Sequence, residues 1–296
     1  MRKTVGVRAG LTVDHLVTAG AGAHFNQLGG PGLFAALGAR LIAGTEPYLF
    51  THLPADEPGF ESLFREMGIN LDYSQPSKSA LRLWILNSNE GRRIIETRSP
   101  QGIELEAAPG GRGPEVGLLP SAPQHLVLDA MLESSPLERP VGSPGLLIGI
   151  DPHQVPLREE GFDYLERVAT PNAVLLPSRV QLGLLHEDPR QAARTIRERL
   201  QLPVVARLDR EGMIVLTSDG EWIVKDAHVD VVETTGAGDA SAAAIVAALA
   251  IGADLVTAAE FGVSAARLAL SHWGHEGLLT EPLTQPLSGI TSTREN

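Results

Sequence analysis

Apolar residues along the 296-residue chain fall into short runs that alternate with longer periodic stretches. The short runs, at 4–7, 81–86, 93–97, 125–128, 146–150, 173–176, 204–208, 213–216 and 222–225, are rich in Val, Ile and Leu and read as strands. The longer stretches, at 31–41, 59–67, 162–169, 190–200, 239–250 and 255–271, carry apolar positions three or four apart and read as helices. Apolar strands alternating with helices predict an α/β fold with a central, mostly parallel sheet covered on both faces. One segment breaks this pattern. LRLWILNSNEGRRIIET, residues 81–97, reads as two strands around Asn-Ser-Asn-Glu-Gly, a hairpin rather than a strand–helix–strand unit. The Gly-rich stretch 18–30 is expected to pair with it, giving a small β flap on the α/β body. Residues 107–117 read as a Gly/Pro loop, 229–232 as a short strand, and the polar tail 288–296 as frayed.

Composition narrows the function. Hydrophobic residues make up 43% and aromatics 4%, so the core must be built mainly from Leu, Val, Ile and Ala. The net charge of −12 argues against general nucleic-acid binding, because such a surface repels phosphate backbones. With no cysteine, disulfides, thiolate catalysis and Cys-ligated zinc are excluded. The N-terminal residues lack the apolar core of a signal peptide, and no window holds 18 uninterrupted apolar residues. A cytoplasmic protein with no membrane partner is expected. Neither a Gly-x-Gly-x-x-Gly fingerprint after a strand nor a P-loop is present. The His272-Trp273-Gly274-His275 stretch reads as a loop, not a metal pair.

The stretch ETTGAGDASAAAIVAALA, residues 233–250, carries the chemistry. Gly236 and Gly238 admit backbone conformations closed to other residues and let a ligand come close. The first amides of a helix have no partners inside it, and together with the Gly-Ala-Gly amides they make an anion pocket at the positive end of the helix dipole. Asp239 stands at its rim. A carboxylate there can take a proton from a hydroxyl while the amides hold a migrating phosphoryl group. Alternatively, Asp239 is an ordinary helix-start aspartate after a Gly-rich turn.

TTGAGDASAAAIVAALAIGADL resembles the C-terminal signature of the ribokinase-like (PfkB) carbohydrate and nucleoside kinases. GLTVDHLV, GGPGLFAALGARL and REMGINLDY resemble the first strand, the substrate-site Gly-Gly turn and the segment before the lid of that family, in the expected order. The resemblance implies a single α/β kinase domain over 1–296, with a β lid inserted from roughly 15–28 and 78–100. It implies Asp239 as catalytic base and Gly236, Ala237 and Gly238 as the anion hole. Asp14, two strand turns after Gly10, would bind substrate hydroxyls with Gly29, Gly30 and Phe34. Arg207, Asp209, Gly212 and Val263 would bind the nucleotide, Glu233 and indirectly Gln181 would serve the metal, and ATP and Mg²⁺ would be the cofactors. Two lids are expected to pair in a homodimer.

The chain departs from the family pattern in four places. Phe34 stands where an asparagine usually grips the sugar; it could stack on a substrate ring or belong to the core. Ser178 and Gln181 replace an Asn-x-x-Glu. Arg207-Leu208-Asp209 replaces Thr-x-Gly, so Arg207 could reach phosphate or lie on the surface. Glu233 replaces an aspartate. The reading is therefore ATP-dependent phosphorylation of a hydroxyl on a sugar, sugar derivative or nucleoside. Its rival is a silent small-molecule-binding relative, and a different transferase using the same anion hole ranks third.

Overall fold

The computed structural model describes residues 2–88, 91–107, 118–142 and 145–295. Its strands are β1 (Lys3–Arg8), β2 (Thr12–Thr18), β3 (Gly22–Gly29), β4 (Thr45–Phe50), β5 (His52–Pro54), β6 (Gln75–Ser77), β7 (Leu81–Ser88), β8 (Gly91–Thr97), β9 (Ala130–Ser134), β10 (Leu147–Asp151), β11 (Ala173–Leu175), β12 (Val204–Arg207), β13 (Met213–Leu216), β14 (Glu221–Asp226) and β15 (Ile290–Glu295). The helices are α1 (Pro31–Arg40), α2 (Gly59–Glu66), α3 (Pro100–Ala107), α4 (Gln154–Glu160), α5 (Phe162–Val168), α6 (Arg179–Gly183), α7 (Pro189–Leu200), α8 (Ala237–Ala250) and α9 (Leu255–Leu270).

The main sheet runs β15-β14-β13-β12-β11-β10-β9-β1-β4. From β4 to β12 the neighbours are parallel; from β12 to β15 they are antiparallel. Strands buried on both faces need continuous apolar runs, which Val204–Arg207 and Met213–Leu216 supply. One face packs on α1, α8 and α9. Their alanines and glycines allow close approach: a β-carbon on Gly38 of α1 would lie 2.3 Å from the carbonyl oxygen of Ala240 in α8. The other face packs Ile148, Ile150 and Ala206 against α5 and α7 through Tyr164, Leu165 and Ile196. Side-chain caps fix several helix starts: Asp188 accepts from Arg190 N, and Asp254 from Val256 N and Thr257 N.

Residues 125–128 are not a strand; the strand begins at Ala130, where pairing with β1 starts. Asp129 just before it accepts from Thr4 N and Thr4 Oγ1 and pairs with Lys3, anchoring the entry. The C-terminal tail is not frayed. Ile290–Glu295 pairs along the whole of β14, whose hydrogen-bonding edge it covers. Residues 229–232 form no strand either, and Val232 N donates to Leu270 O. The segment 107–117 begins with the last residue of α3 and otherwise lies outside the described residues, as do Asn89 and Glu90 of the hairpin turn.

A second sheet runs β3-β2-β7-β8. The 18–30 stretch does contribute β3, but β2 lies between it and the 81–97 hairpin. One face of this sheet turns to the body. There His24 stacks on Trp273 with centroids 4.3 Å apart, and Asn87 Nδ2 donates to Glu233 Oε1 at 3.3 Å. The other face carries a ring cluster, with His15 4.8 Å and Phe25 5.7 Å from Trp84. Beside it stands Ile95, paired with Trp84 and 53% exposed. Among the described residues no helix is long and apolar enough to cross a membrane.

Candidate active site

The N-terminus of α8 is open. Gly236 takes the left-handed conformation at φ 78, no side chain caps the helix, and the first helical bond is from Ala240 N to Gly236 O. The amides of Ala237 and Gly238 thus point out of the helix start with no helical acceptor, the arrangement an anion requires. Gly236 is fixed for a second reason. A β-carbon there would fall 2.0 Å from the Phe34 ring. Phe34 is 1% exposed and belongs to the core. The stacking role for Phe34 is therefore corrected: its ring is spent against Gly236, leaving no face for a substrate.

Asp239 is the third residue of α8 and is partly exposed. Its carboxyl is pushed up to about 7, first by burial and then by the neighbouring Asp151 charge; Arg207 and Arg92 pull the other way. Asp14, on β2, is buried and raised to about 6, chiefly by burial. Thr12 Oγ1 donates to it at 2.7 Å, and the Gly30 amide also bonds it. The Gly29-Gly30 turn makes this arrangement fit. A β-carbon on Gly29 would lie 2.1 Å from Asp14 Oδ2, and Gly30 holds φ 89 within 2.5 Å of Thr12 N. Arg92 acts on both Asp14 and Asp239, and Glu233 acts on Asp14 and bonds Asn87, so the charged groups of the small sheet and of the α8 turn lie near one another.

Arg207 is neither a surface residue nor a free phosphate ligand. It is 7% exposed; its guanidinium pairs with Asp151 Oδ2 at 2.8 Å and donates to the carbonyls of Gly238 and Leu176. Gln181 closes the capping box of α6 by accepting from Ser178 N, and its Nε2 donates to Asp151 Oδ1 at 2.8 Å and to Pro152 O. Glu233 is also committed: it accepts from Thr235 N at 2.9 Å, Thr235 Oγ1 at 2.7 Å and Asn87. Three of the acceptor positions of Glu233 are thus taken by its own turn and the small sheet, and Gln181 reaches a carboxylate only through Asp151. Asp209 is exposed, holds φ 53 and pairs with Arg179 Nε at 3.4 Å. Gly212, at φ 86, closes the β12–β13 turn, where a β-carbon would strike Val224 O at 2.2 Å. Val263 is a core residue of α9. His272 Nδ1 lies 2.8 Å from Ser271 Oγ, and Trp273 is taken by His24.

Two carboxylates escaped the sequence reading. Asp151 ends β10 after Leu-Ile-Gly-Ile; a carboxylate at the C-terminal end of an apolar parallel strand was the available signal. Glu133, near the end of β9, is pushed up to about 7 by burial and meets Arg8 Nη1 at 3.3 Å. Glu133 lines a cavity of about 610 Å³ with Leu128, Met131 and Ile148.

The open amides of α8 fit a phosphate group. No group of three or more His, Asp or Glu that could hold a metal ion exists among the described residues. Magnesium commonly retains several waters and leans on nucleotide phosphates plus one or two carboxylates, so this donor set suits a nucleotide-borne ion and not a resident one.

The fold is that of solved ribokinase-type structures. A ribokinase from Cryptococcus neoformans in complex with ADP superposes with TM-score 0.70 and 17% identity, covering 95% of this chain and 97% of that one. The aminoimidazole riboside kinase of Salmonella enterica, complexed with aminoimidazole riboside and an ATP analogue, gives TM-score 0.70 and 18% identity over 95% and 97%. Residues 180–280 match the family model described as pfkB family carbohydrate kinase. The chain has the ribokinase-like fold, and the family match is confined to that C-terminal segment. The matched residues include Gln181, Arg207, Glu233, the anion turn and Asp239, but not Asp14 or the small sheet. An uncharacterized sugar kinase of Archaeoglobus fulgidus is 32% identical over 134 residues, 44% of this chain, and the match spans 53% of that protein's length.

Proposed function

We propose that this chain transfers the γ-phosphoryl group of ATP to a hydroxyl of a small molecule, a sugar, sugar derivative or nucleoside. One observation carries the reading: a carboxyl with its pKa near neutrality stands beside the open amides of α8. At neutral pH a large share of Asp239 is ionised and can accept a proton. The acceptor hydroxyl lies between Asp14 and Asp239, with Asp14 and Gly30 orienting it. Its proton passes to Asp239 as its oxygen bonds to phosphorus and the bond to the β-phosphate oxygen breaks. The Ala237 and Gly238 amides face the charge on the transferred group, while the buried Arg207–Asp151 pair holds their turn in place. ATP supplies the phosphoryl group, and Mg²⁺ neutralises charge on its phosphate oxygens.

The small sheet serves as the lid over this cleft, already joined to the body through Asn87–Glu233 and His24–Trp273. Closure excludes water and limits hydrolysis of ATP. Its outer aromatic face is the surface by which two copies pair. A cytoplasmic location suits an ATP-dependent reaction and a cysteine-free chain.

A second reading, a silent binding relative, draws on Asp209, whose exposed carboxylate stands where the family resemblance calls for glycine. The deciding experiment is a transfer assay with labelled ATP and Mg²⁺ over a panel of sugars, sugar derivatives and nucleosides. Label in an acid-stable product supports the kinase; ligand binding without transfer at any Mg²⁺ concentration supports the silent relative.

A further inference from the structure

The main sheet has α8 on one face and a polar group of a different kind on the other. Along β9, Leu132 belongs to the cluster built by α1, α8 and α9, whereas Met131 packs with Phe50 and Leu128 on the opposite side. Every second residue of a strand shares a face, so Glu133 follows Met131. On β10, a β-carbon on Gly149 would meet Val246 of α8, and Asp151, two residues on, shares that face. The sheet thus stands between Glu133 and the Asp151–Arg207 pair under the α8 turn. Arg8 is the one charged group that acts on Glu133 among the described residues.

Glu133 lines the cavity of about 610 Å³, a volume within the usual range for small-molecule sites. Its walls include Leu126, Leu128, Met131, Leu146 and Ile148. The other charged lining residues, Glu138 and Arg139, are exposed. Arg8 donates from Nη1 to Glu133 Oε2 at 3.3 Å and from Nη2 to Leu119 O at 2.9 Å. The Glu133 side chain is 6% exposed, and no other hydrogen bond reaches it among the described residues. Its Oε1 therefore lacks a donor, and burial outweighs Arg8 in setting its protonation. A carboxyl so placed in apolar surroundings is completed by a further donor, and a cationic donor also supplies the charge that one long bond to Arg8 leaves uncompensated. The net charge of −12 favours the approach of a cation. We propose that this cavity is a second ligand site and that it takes an organic ammonium, a primary amine whose charged head meets Glu133 and whose apolar body lies against Leu128, Met131 and Ile148. An anion of the same shape meets a carboxylate, and a neutral body leaves Glu133 uncompensated. The site lies across the sheet from the α8 turn and does not depend on the kinase reading.

Three indoles with one ring system and different charge serve as probes: tryptamine, 3-methylindole and indole-3-propionate. Each is titrated into the full chain by calorimetry, with and without Mg-ATP, and followed in parallel by thermal shift. Tryptamine is expected to bind roughly 10- to 100-fold more tightly than 3-methylindole, with indole-3-propionate weakest and with Mg-ATP displacing none of them. Glu133→Gln is expected to bring tryptamine down to the level of 3-methylindole. Ala122→Trp sets a ring on a partly buried wall of the cavity outside the sheet and is expected to abolish binding of all three. Thermal melts show whether each variant folds; should Glu133→Gln not fold, Ala122→Trp and the order of the three probes on the natural chain still decide. Four results overturn the proposal: no binding of tryptamine by the natural chain, equal or tighter binding of the neutral or anionic probe, an undiminished preference for tryptamine in folded Glu133→Gln, or binding that Mg-ATP displaces or that Ala122→Trp leaves intact.

Discussion

Nη2 of Arg207 lies 2.8 Å from Oδ2 of Asp151, with both side chains closed off beneath the turn that carries Asp239. The pair links three strand ends to one helix start: β10 through Asp151, β11 through the Leu176 carbonyl just beyond it, β12 through Arg207 itself, and α8 through Gly238 O. Removing one partner leaves the other charge buried without compensation, at a cost of about 3–5 kcal/mol. Arg207→Met and Asp151→Asn are each expected to lose stability on this scale. The double variant is expected to lose clearly less than the sum. Urea denaturation of the four proteins tests this, and strict additivity would show that the two residues do not act as a pair.

Asp239 should cost the fold stability at alkaline pH. An unfolded aspartate titrates near 3.9, whereas this one titrates at about 7. Between those values the folded state holds more protons than the unfolded one, so stability falls as pH rises from about 4 to about 7 and is then level. Asparagine does not titrate. Asp239→Asn is therefore expected to melt above the natural chain at pH 8, with the difference shrinking toward pH 4. An equal difference at both pH values would remove the burial account of the shift.

Gly236→Ala meets two obstacles, a left-handed φ of 78 and the Phe34 ring 2.0 Å from the new β-carbon. The backbone strain alone is of order 1–3 kcal/mol, and the ring can yield only by moving within the core. A drop of at least that size in calorimetric stability is expected, with loss of phosphate-dependent stabilisation. An alanine variant that binds phosphate normally would show that the turn does not need glycine.

Trp84, Phe25 and Ile95 leave an apolar face on the outside of the small sheet. With this face as the dimer contact, Trp84→Glu is expected to convert a dimer to a monomer by light scattering at micromolar concentration. A natural chain that is already monomeric would contradict the pairing.

The α/β architecture was legible because apolar runs and helical periods map directly onto buried strands and helices. The Gly-Ala-Gly-Asp turn was legible as a helix start because glycine admits the left-handed backbone that Gly236 adopts. What misled was context. Phe34 looked like a replacement for a polar substrate ligand, yet only the fold brings it against Gly236, about 200 residues away. Arg207 sits at the end of an apolar strand, and nothing local shows that Asp151 waits beside it. The strand Ile290–Glu295 has a polar sequence because it is an edge strand whose pairing comes from the backbone and not from its side chains. Asp151 and Glu133 each stand alone in sequence, and their meaning comes from the strand ends that gather them.

The central claim is that Asp239 takes the proton from the acceptor hydroxyl. The most direct measurement is single-turnover phosphoryl transfer from Mg-ATP by the natural chain and by Asp239→Asn, with an acceptor identified in the panel, across pH 5 to 9. Loss of a positioned base typically slows such a step by about 10²- to 10⁴-fold. The expected result is a fall of that size with ATP affinity unchanged, and an acidic limb near pH 7 in the natural chain that is absent from the variant. Near-native transfer by Asp239→Asn on the same acceptor would contradict the account.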